Sequence, residues 1–91
     1  MDIQVAHGKF TGTGALFTVN CGFRPFKVEV YNATGDCGVH LAGMPAASLQ
    51  VFEDAFDTSA GITLTDTGFT IGADGVVNVS TQEVRWVAWG L

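Results

Sequence analysis

Positive charge is scarce in this sequence. Its 91 residues include four basic side chains, Lys9, Arg24, Lys27 and Arg85, against nine aspartates and glutamates, which gives a formal net charge of −5. A nucleic-acid-binding protein needs a basic surface to displace counterions from phosphates, so the composition excludes nucleic acid as a partner. An anionic membrane surface is disfavoured for the same reason.

Long apolar segments are also missing. No stretch approaches the roughly 18–20 apolar residues of a membrane span. The amino terminus, MDIQVAHGKF, has neither the basic nor the apolar region of a secretory signal peptide. We therefore expect synthesis in the cytoplasm without secretion through a signal peptide. The sequons at Asn32 and Asn78 are then chance matches.

The sequence has two cysteines, Cys21 and Cys37, and no motif that pairs them. Reduced thiols that act as small hydrophobic side chains are the default expectation, and a disulfide between them remains an alternative if the assembly ends up outside a cell. With His7 and His40 they supply the ligand types of zinc. The spacing lacks CxxC pairs, however, so we predict no metal site.

Catalytic patterns are absent as well. Cys37 and His40 are three positions apart, which on a strand places them on opposite faces, so we expect a core thiol beside an exposed histidine rather than a catalytic dyad. Glu53, Asp54 and Asp57 match neither a glycosidase pair nor a calcium loop, and they indicate a solvated acidic loop. We predict no catalytic residue, no cofactor and no enzymatic activity.

Apolar residues, by contrast, are abundant. They make up 47% of the sequence, and the mean hydropathy is +0.32. A domain of this size removes only about 60–65% of its unfolded surface from water, so part of this apolar material is predicted to be buried between subunits. The apolar end of the chain, residues 87–91, fits equally a strand that closes its own sheet or an interface.

The apolar residues recur with the period of β-strands. Between residues 61 and 89, four runs alternate apolar and polar side chains and are separated by short polar turns, which predicts a four-stranded meander. The apolar pairs of these runs are Ile62/Leu64, Phe69/Ile71, Val77/Val79 and Val84/Trp86. Further strands are predicted at 16–21, at 37–42, and from Phe26 onward, with Phe26, Val28 and Val30 facing the core.

These strands predict one all-β domain over residues 1–91. An antiparallel β-sandwich or jelly-roll-like domain of about seven to eight short strands is favoured over a closed barrel. Residues 1–14 are rich in glycine and fit either a loop or an N-terminal arm that needs a partner surface. Residues 48–56 fit a helix capped by Ser48 or a strand, and the all-β context favours the strand.

The two tryptophans near the carboxyl end lie on opposite faces of the last predicted strand. One of Trp86 and Trp89 therefore belongs to the core, and the other lies at the surface or in an interface. An exposed tryptophan can stack on a sugar ring or anchor a protein contact. The apolar surplus favours the protein contact.

Several short segments resemble small structural proteins of tailed bacteriophages. The similarity covers nearly the whole chain from Ala15 on, and its most distinctive parts are GFTIGAD at 68–74 and RWVA at 85–88. The GFRP segment at 22–25 is also similar to domains of phage tail fibres. The other segments are KVEVYN at 27–32, TG at 34–35, GMP at 43–45, GIT at 61–63 and VNV at 77–79.

This resemblance implies a virion component without enzymatic activity. The most direct expectation is a capsid decoration or cement protein, clustered as a homotrimer on the capsid surface, with the major capsid protein as its partner. The alternative is a host-receptor module of a tail fibre or tail tip, in which Trp89 or Tyr31 stacks on a saccharide. The family supplies neither catalytic nor cofactor-binding residues.

The apolar surplus and the resemblance together lead to a hypothesis about the contacts of this protein. We expect residues 2–10 to add as a strand to a neighbouring subunit, while the side chains near the carboxyl end and Phe23 pack at a subunit boundary. The predicted partner-binding residues are Asp2, Ile3, Val5, Phe10, Phe23, Trp89 and Leu91.

Overall fold

The computed structural model describes residues 2–33, 36–51, 56–73 and 77–91, without the side chains of 56–58. The described residues form only strands and their connections, which confirms the all-β prediction. None of these ranges contains a helix with the length and hydropathy that a bilayer span requires. The eight strands are β1 (Gln4–Thr11), β2 (Phe17–Asn20), β3 (Pro25–Asn32), β4 (Cys37–Leu41), β5 (Ser48–Val51), β6 (Phe56–Leu64), β7 (Gly68–Ile71) and β8 (Glu83–Gly90).

All eight strands belong to one antiparallel sheet, in the order β1-β8-β3-β4-β5-β6-β7-β2. The sheet curls towards a half-barrel, so that its two edge strands approach at one end, where the rings of Phe10 and Phe17 stack with centroids 4.4 Å apart. Across the curl, Phe69 of β7 meets Trp86 of β8 edge to face at 5.6 Å. The strand number agrees with the prediction, but two separate sheets, as in a sandwich, are not confirmed.

The core lies on the concave face of this sheet. Alternation along β3 and β8 places Val28, Val30 and Val84 inside, each with no exposed surface. Burial of such a side chain contributes roughly 1.5–3 kcal/mol. Trp86 lies directly over Gly8 of the neighbouring strand, where a Cβ atom would come within 3.0 Å of the indole ring. Trp86 is therefore the core tryptophan, and Trp89 faces outward, as the spacing predicts.

The predicted four-stranded meander is wrong in its second half. The hairpin of β6 and β7 forms with its turn at Asp66 and Thr67, but residues 77–79 are not a strand. Val77 and Asn78 are both completely buried, so their side chains do not alternate between two faces. The last strand, β8, pairs with β1 and β3 instead of β7.

Three further predictions concern single segments. Phe26 does not face the core: the register shifts between Pro25 and Lys27, and Phe26, the residue at this bulge, is 37% exposed. The preference for a strand at 48–56 is confirmed for Ser48–Val51, while 52–55 lie outside the described residues. Within residues 1–14, the segment Gln4–Thr11 forms β1 in the chain's own sheet.

The antiparallel strands place their connections at two ends of the sheet. The connections 21–24, 42–47 and 65–67 lie together at what we call the lower end. The connections 12–16 and 77–82 lie at the opposite, upper end. This division determines where the candidate sites are found.

Candidate functional site: an edge strand and an open lower end

Strand β1 is an edge of the sheet. It pairs with β8 over its full length, from Gln4 opposite Gly90 to Thr11 opposite Glu83, and has no second neighbour among the described strands. An edge strand presents backbone N–H and C=O groups that can pair with another chain. The other edge, β2, is half as long, with four residues against eight. Thus β1 offers the longer surface for strand addition.

A row of mainly apolar side chains, interrupted by one lysine, crosses the outer face beside this edge. Val5, Trp89, Lys27 and Leu41 are partners in register across β1, β8, β3 and β4. Val5 is 55% exposed and Leu41 is 44% exposed. The Lys27 Nζ atom lies 5.0 Å from the centroid of the Trp89 ring, within cation–π distance.

Ile3 and Leu91 extend the row at the ends of β1 and β8, with 61% and 65% of their surface exposed. We call Ile3, Val5, Trp89, Leu91 and Leu41 the outer patch.

The other half of the outer face is different. Thr63, Thr70 and Thr18 are partners in register across β6, β7 and β2. Their hydroxyl groups are polar without charge. Of the six large hydrophobic side chains that are exposed among the described residues, four belong to the outer patch.

The seven predicted partner-binding residues fall into two groups. Asp2, Ile3, Val5 and Leu91 are exposed, and Trp89 is half-buried on the same outer surface. Phe10 and Phe23 instead pack against their own core. Phe10 stacks on Phe17, and the Phe23 ring lies against Gly90, where a Cβ atom would be only 2.3 Å from the ring. The structure therefore gathers four of the seven, Ile3, Val5, Trp89 and Leu91, into one surface, and Asp2 is exposed beside it.

A cleft of ≈ 300 Å³ opens at the lower end. Arg24 comes from the connection before β3, His40 from β4, and Thr63 and Leu64 from the end of β6. The remaining lining residues, Ala42, Gly43, Met44 and Ala46, belong to the connection between β4 and β5. The cleft is thus a product of the topology, which brings three distant connections to one end.

His40 is the buried polar group of this cleft. The sequence predicted an exposed histidine, which is wrong: only 2% of His40 is exposed, because it faces the core beside Val28 while Cys37 faces outward. Its Nδ1 atom lies 2.8 Å from the Ser48 carbonyl oxygen. A carbonyl only accepts, so Nδ1 carries a proton and Nε2 of the neutral ring has a free lone pair.

The Nε2 atom has no protein partner among the described residues. Every buried side-chain nitrogen or oxygen of these residues has a hydrogen bond, so Nε2 must be accessible to solvent. It therefore reaches the cleft. The Ser48 hydroxyl, 3.5 Å from Nδ1, donates to the Pro45 carbonyl at 2.5 Å. Since the protonated Nδ1 cannot accept the hydroxyl proton, Ser48 and His40 are not a nucleophile and its base.

Arg24 is the basic residue of the cleft. Its Nη1 atom lies 3.2 Å from Oδ1 of Asp66, and the two side chains are 59% and 96% exposed. Exposed pairs of this kind contribute at most about 1 kcal/mol, so a ligand can replace Asp66 at little cost. Thr63 accepts a hydrogen bond from the Ala47 N–H at 3.0 Å, which leaves its own hydroxyl proton available as a donor.

The cysteines are free thiols at opposite ends of the sheet. The Cys21 thiol donates to the Phe23 carbonyl at the lower end, and Cys37 pairs with Tyr31 near the far end of β3. The six steps from Pro25 to Tyr31 span roughly 20 Å along a strand. A disulfide requires Cα atoms within about 7 Å, so the two cysteines are not placed to bond to each other.

The metal, acidic and sugar-stacking groups considered in the sequence can be followed only in part among the described residues. Nowhere in the described ranges do three histidine, cysteine or acidic side chains come together as metal ligands. The acidic cluster falls outside the described residues, because Glu53 and Asp54 are not described and the side chain of Asp57 is not. Tyr31, proposed for sugar stacking, is half-buried, and its hydroxyl donates to the Glu29 carboxylate.

A small charged cluster lies on the outer face near the upper end. Glu83 accepts a hydrogen bond from Arg85 Nε at 2.8 Å, and Lys9 Nζ is 3.6 Å from its other oxygen. The hydrogen bond from Arg85, then its charge and that of Lys9, hold the pKa of the Glu83 carboxyl below its ordinary value. The cluster is exposed and has the character of a solvated surface network.

Sequence reasoning missed the two buried asparagines of the upper end. Asn32 and Asn78 are 6% and 0% exposed, and each side-chain amide donates to backbone carbonyl groups. They are the asparagines of the two sequons, and their bonded amides are not available for a glycan. Each stands beside turn residues, which was the available signal for a loop-closing role.

Comparisons with family models, with curated proteins and with solved structures found no match for this chain.

Proposed function

We propose that this protein is a non-enzymatic structural component of a tailed-phage virion, most directly a capsid decoration protein that binds the outer shell and stabilises the contacts between capsomers. The observation that carries the proposal is the unpaired edge of β1 beside the outer patch. Backbone groups supply hydrogen bonds and Val5, Trp89 and Leu91 supply apolar area to the same partner. The resemblance to phage structural proteins supplies the kind of partner.

The mechanism is additive. Each copy adds an edge strand and a small apolar surface to the major capsid protein or to another copy in a homotrimer. A contact of this size is weak by itself. Many copies across capsomer seams act together, so that the shell resists expansion and rupture more than any single contact would allow.

Copy number tests the location. Quantitative peptide mass spectrometry on purified particles should find this chain in a fixed ratio to the major shell protein. A few copies per particle would contradict a decoration role and favour a tail position. Absence from particles would remove the virion assignment altogether.

Paired charge variants test the surface. Val5→Lys places a charge on the β1 edge, and charged edges resist strand addition. Thr18→Lys places the same charge on the exposed face of the other edge strand, β2. Each variant is added to particles from which the native protein has been removed. We expect Val5→Lys to lose most of its occupancy on these particles and Thr18→Lys to retain it. Equal occupancy of the two variants would contradict the assignment of the contact to β1.

A second candidate, a glycan-binding module of a tail fibre or tail tip, rests on Trp89 and Lys27. A half-buried indole with an ammonium group 5.0 Å from its centroid suits an acidic saccharide, which stacks on the ring and pairs with the amine. Acidic oligosaccharides should then quench tryptophan fluorescence in the wild type and not in Trp89→Phe. The buried Trp86 serves as the internal reference, and unchanged fluorescence removes this candidate.

A further inference from the structure

We propose that the lower-end cleft is a binding site for a small organic carboxylate, held by Arg24, His40 and Thr63 with its apolar body against Leu64 and Met44. The cleft is separate from the β1 edge and the outer patch, so this site does not depend on the proposed function. Three features carry it: an unpartnered polar atom of an otherwise buried side chain, a replaceable cation, and apolar walls.

The unpartnered atom is Nε2 of His40. The hydrogen bond from Nδ1 to the Ser48 carbonyl fixes the ring plane and leaves Nε2 as the atom that reaches the cleft. The rest of this side chain is buried, so Nε2 is the polar atom of the ring that is left to a ligand. A carboxylate has no proton to donate to the Nε2 lone pair, so its binding takes up one proton from the solvent, which then lies between Nε2 and a carboxylate oxygen.

The charge around the cleft favours an anion. Arg24 is one of only four basic residues in a chain of net charge −5, and it lies in the same cleft as the histidine. Its present partner, Asp66, is almost fully exposed and loosely held. A carboxylate can therefore replace Asp66 on the guanidinium, while the Thr63 hydroxyl donates to the second oxygen.

The walls favour an organic ion over an inorganic one. Ala42, Ala46, Met44 and Leu64 provide the apolar part of a cleft whose volume, ≈ 300 Å³, is at the small end of known ligand sites. The Leu41 N–H donates to the Met44 sulfur at 3.1 Å, which holds this side chain in place within its turn. A carboxylate with a ring or a short alkyl chain uses these walls, whereas phosphate does not.

Titration with matched probes tests the ligand class. Benzoate and butyrate are compared with benzyl alcohol, butanol and inorganic phosphate, and the amide and imidazole signals are followed by NMR. We expect saturable shifts at Arg24, His40, Thr63 and Leu64 with the carboxylates, and affinities at least about tenfold weaker for the alcohols and phosphate. Equal binding of the alcohols or of phosphate would overturn the carboxylate assignment.

Variants test the site itself. Arg24→Gln is expected to weaken benzoate binding about tenfold, whereas Arg85→Gln, which removes the same charge outside the cleft, leaves it unchanged. His40→Asn retains an amide donor for the Ser48 carbonyl and removes Nε2, so it should weaken binding in a folded protein. Ala46→Phe, at an exposed lining position, should block the cleft.

Because Ala46 is exposed, its position tolerates the larger side chain, and we expect Ala46→Phe to fold normally. A loss of binding in this variant is then not caused by misfolding. Each variant's NMR spectrum is compared with that of the wild type to confirm that the sheet is intact. If Arg24→Gln and Arg85→Gln weaken binding equally, or if Ala46→Phe binds as the wild type does, the proposed site is wrong.

Discussion

The two ends of the curled sheet are closed by different means. At the upper end, Asn78 accepts a hydrogen bond from the Thr13 N–H at 3.0 Å and donates to the carbonyls of Ala15 and Gly72 at 2.7 and 2.9 Å. Asn32 donates to the Val77 carbonyl at 2.8 Å. Two buried amides thus connect the loops of this end to each other.

At the lower end, the connections are joined by backbone hydrogen bonds instead: the N–H groups of Cys21 and Gly22 both donate to the Thr67 carbonyl at 2.9 Å. The Phe23 ring lies on Gly90, and His40 connects β4 to the start of β5 through the Ser48 carbonyl. No buried asparagine or glutamine spans this end among the described residues. The cleft of this end contains one nitrogen of a buried histidine that has no protein partner. The two ends therefore differ in whether buried amides join their loops.

The largest effect that this comparison predicts is at Asn78. Asn78→Ala removes the side-chain partner of three backbone groups, and we expect a loss of about 3 kcal/mol in the free energy of unfolding, because three part-buried hydrogen bonds are lost at about 1 kcal/mol each. Asn20→Ala is the matched control, since Asn20 is exposed and accepts one bond, from Gly22 N–H at 3.2 Å. Urea denaturation measures both. Equal losses would contradict the special role of the upper end.

The lower end is tested at Gly90. A Cβ atom there would lie 2.3 Å from the Phe23 ring, so Gly90→Ala must displace that ring, at a cost of about 2 kcal/mol. In a Phe23→Ala background the two ring atoms are gone and the nearest remaining atom is the Arg24 carbonyl oxygen, at 2.9 Å, so the cost should fall by at least about half. A double-mutant cycle by urea denaturation measures the coupling. Additive costs would show that Phe23 does not close this end.

Backbone strain offers a smaller, opposite effect. Thr81 at the upper end has φ = 69°, a conformation that a β-branched residue rarely adopts. Thr81→Gly should stabilise the protein by about 0.5–1 kcal/mol, because the relief of strain exceeds the entropy cost of glycine. Ala47→Gly, at φ = 61° near the lower end, is the control and should gain less, since alanine is not branched. A larger gain in stability from Ala47→Gly than from Thr81→Gly would contradict the expectation that the greater backbone strain lies at Thr81.

The sequence predicted the fold class well because strands leave a local signal. Period-two alternation identified β2, β3, β4, β7 and β8 to within a few residues, and the second half of β6, from Gly61 onward. The order of strands was not predictable, since β8 pairs with β1 and β3 through contacts between distant residues. The bulge that turns Phe26 outward depends on the registry with β8, which leaves no mark in the sequence of β3 itself.

The candidate sites were predictable only in part. The chain has more apolar residues than a core of this size can bury, which predicts apolar side chains at the surface. This argument identified Ile3, Val5, Trp89 and Leu91. The cleft was missed because Arg24, His40 and Thr63 are separated by 16 and 23 positions and meet only through the topology. Alternation along β4 placed Cys37 and His40 on opposite faces, but it could not decide which face is the core.

The smallest expected effect concerns the charged cluster at the start of β8. Arg85 and Lys9 lower the pKa of Glu83 in the folded protein, so the cluster stabilises the fold when the carboxyl is ionised and loses this contribution as the pH falls through that pKa. Glu83→Gln should therefore be slightly less stable than the wild type at pH 7, and the difference should shrink as the pH falls through the lowered pKa and vanish once the carboxyl is protonated. Urea midpoints across a pH series measure this, with Asp66→Asn, whose carboxyl pairs with the loosely held Arg24, as the lower-end counterpart. A difference that persists in acid would mean that the substitution acts through packing rather than charge, and that the upper end relies on its buried amides alone.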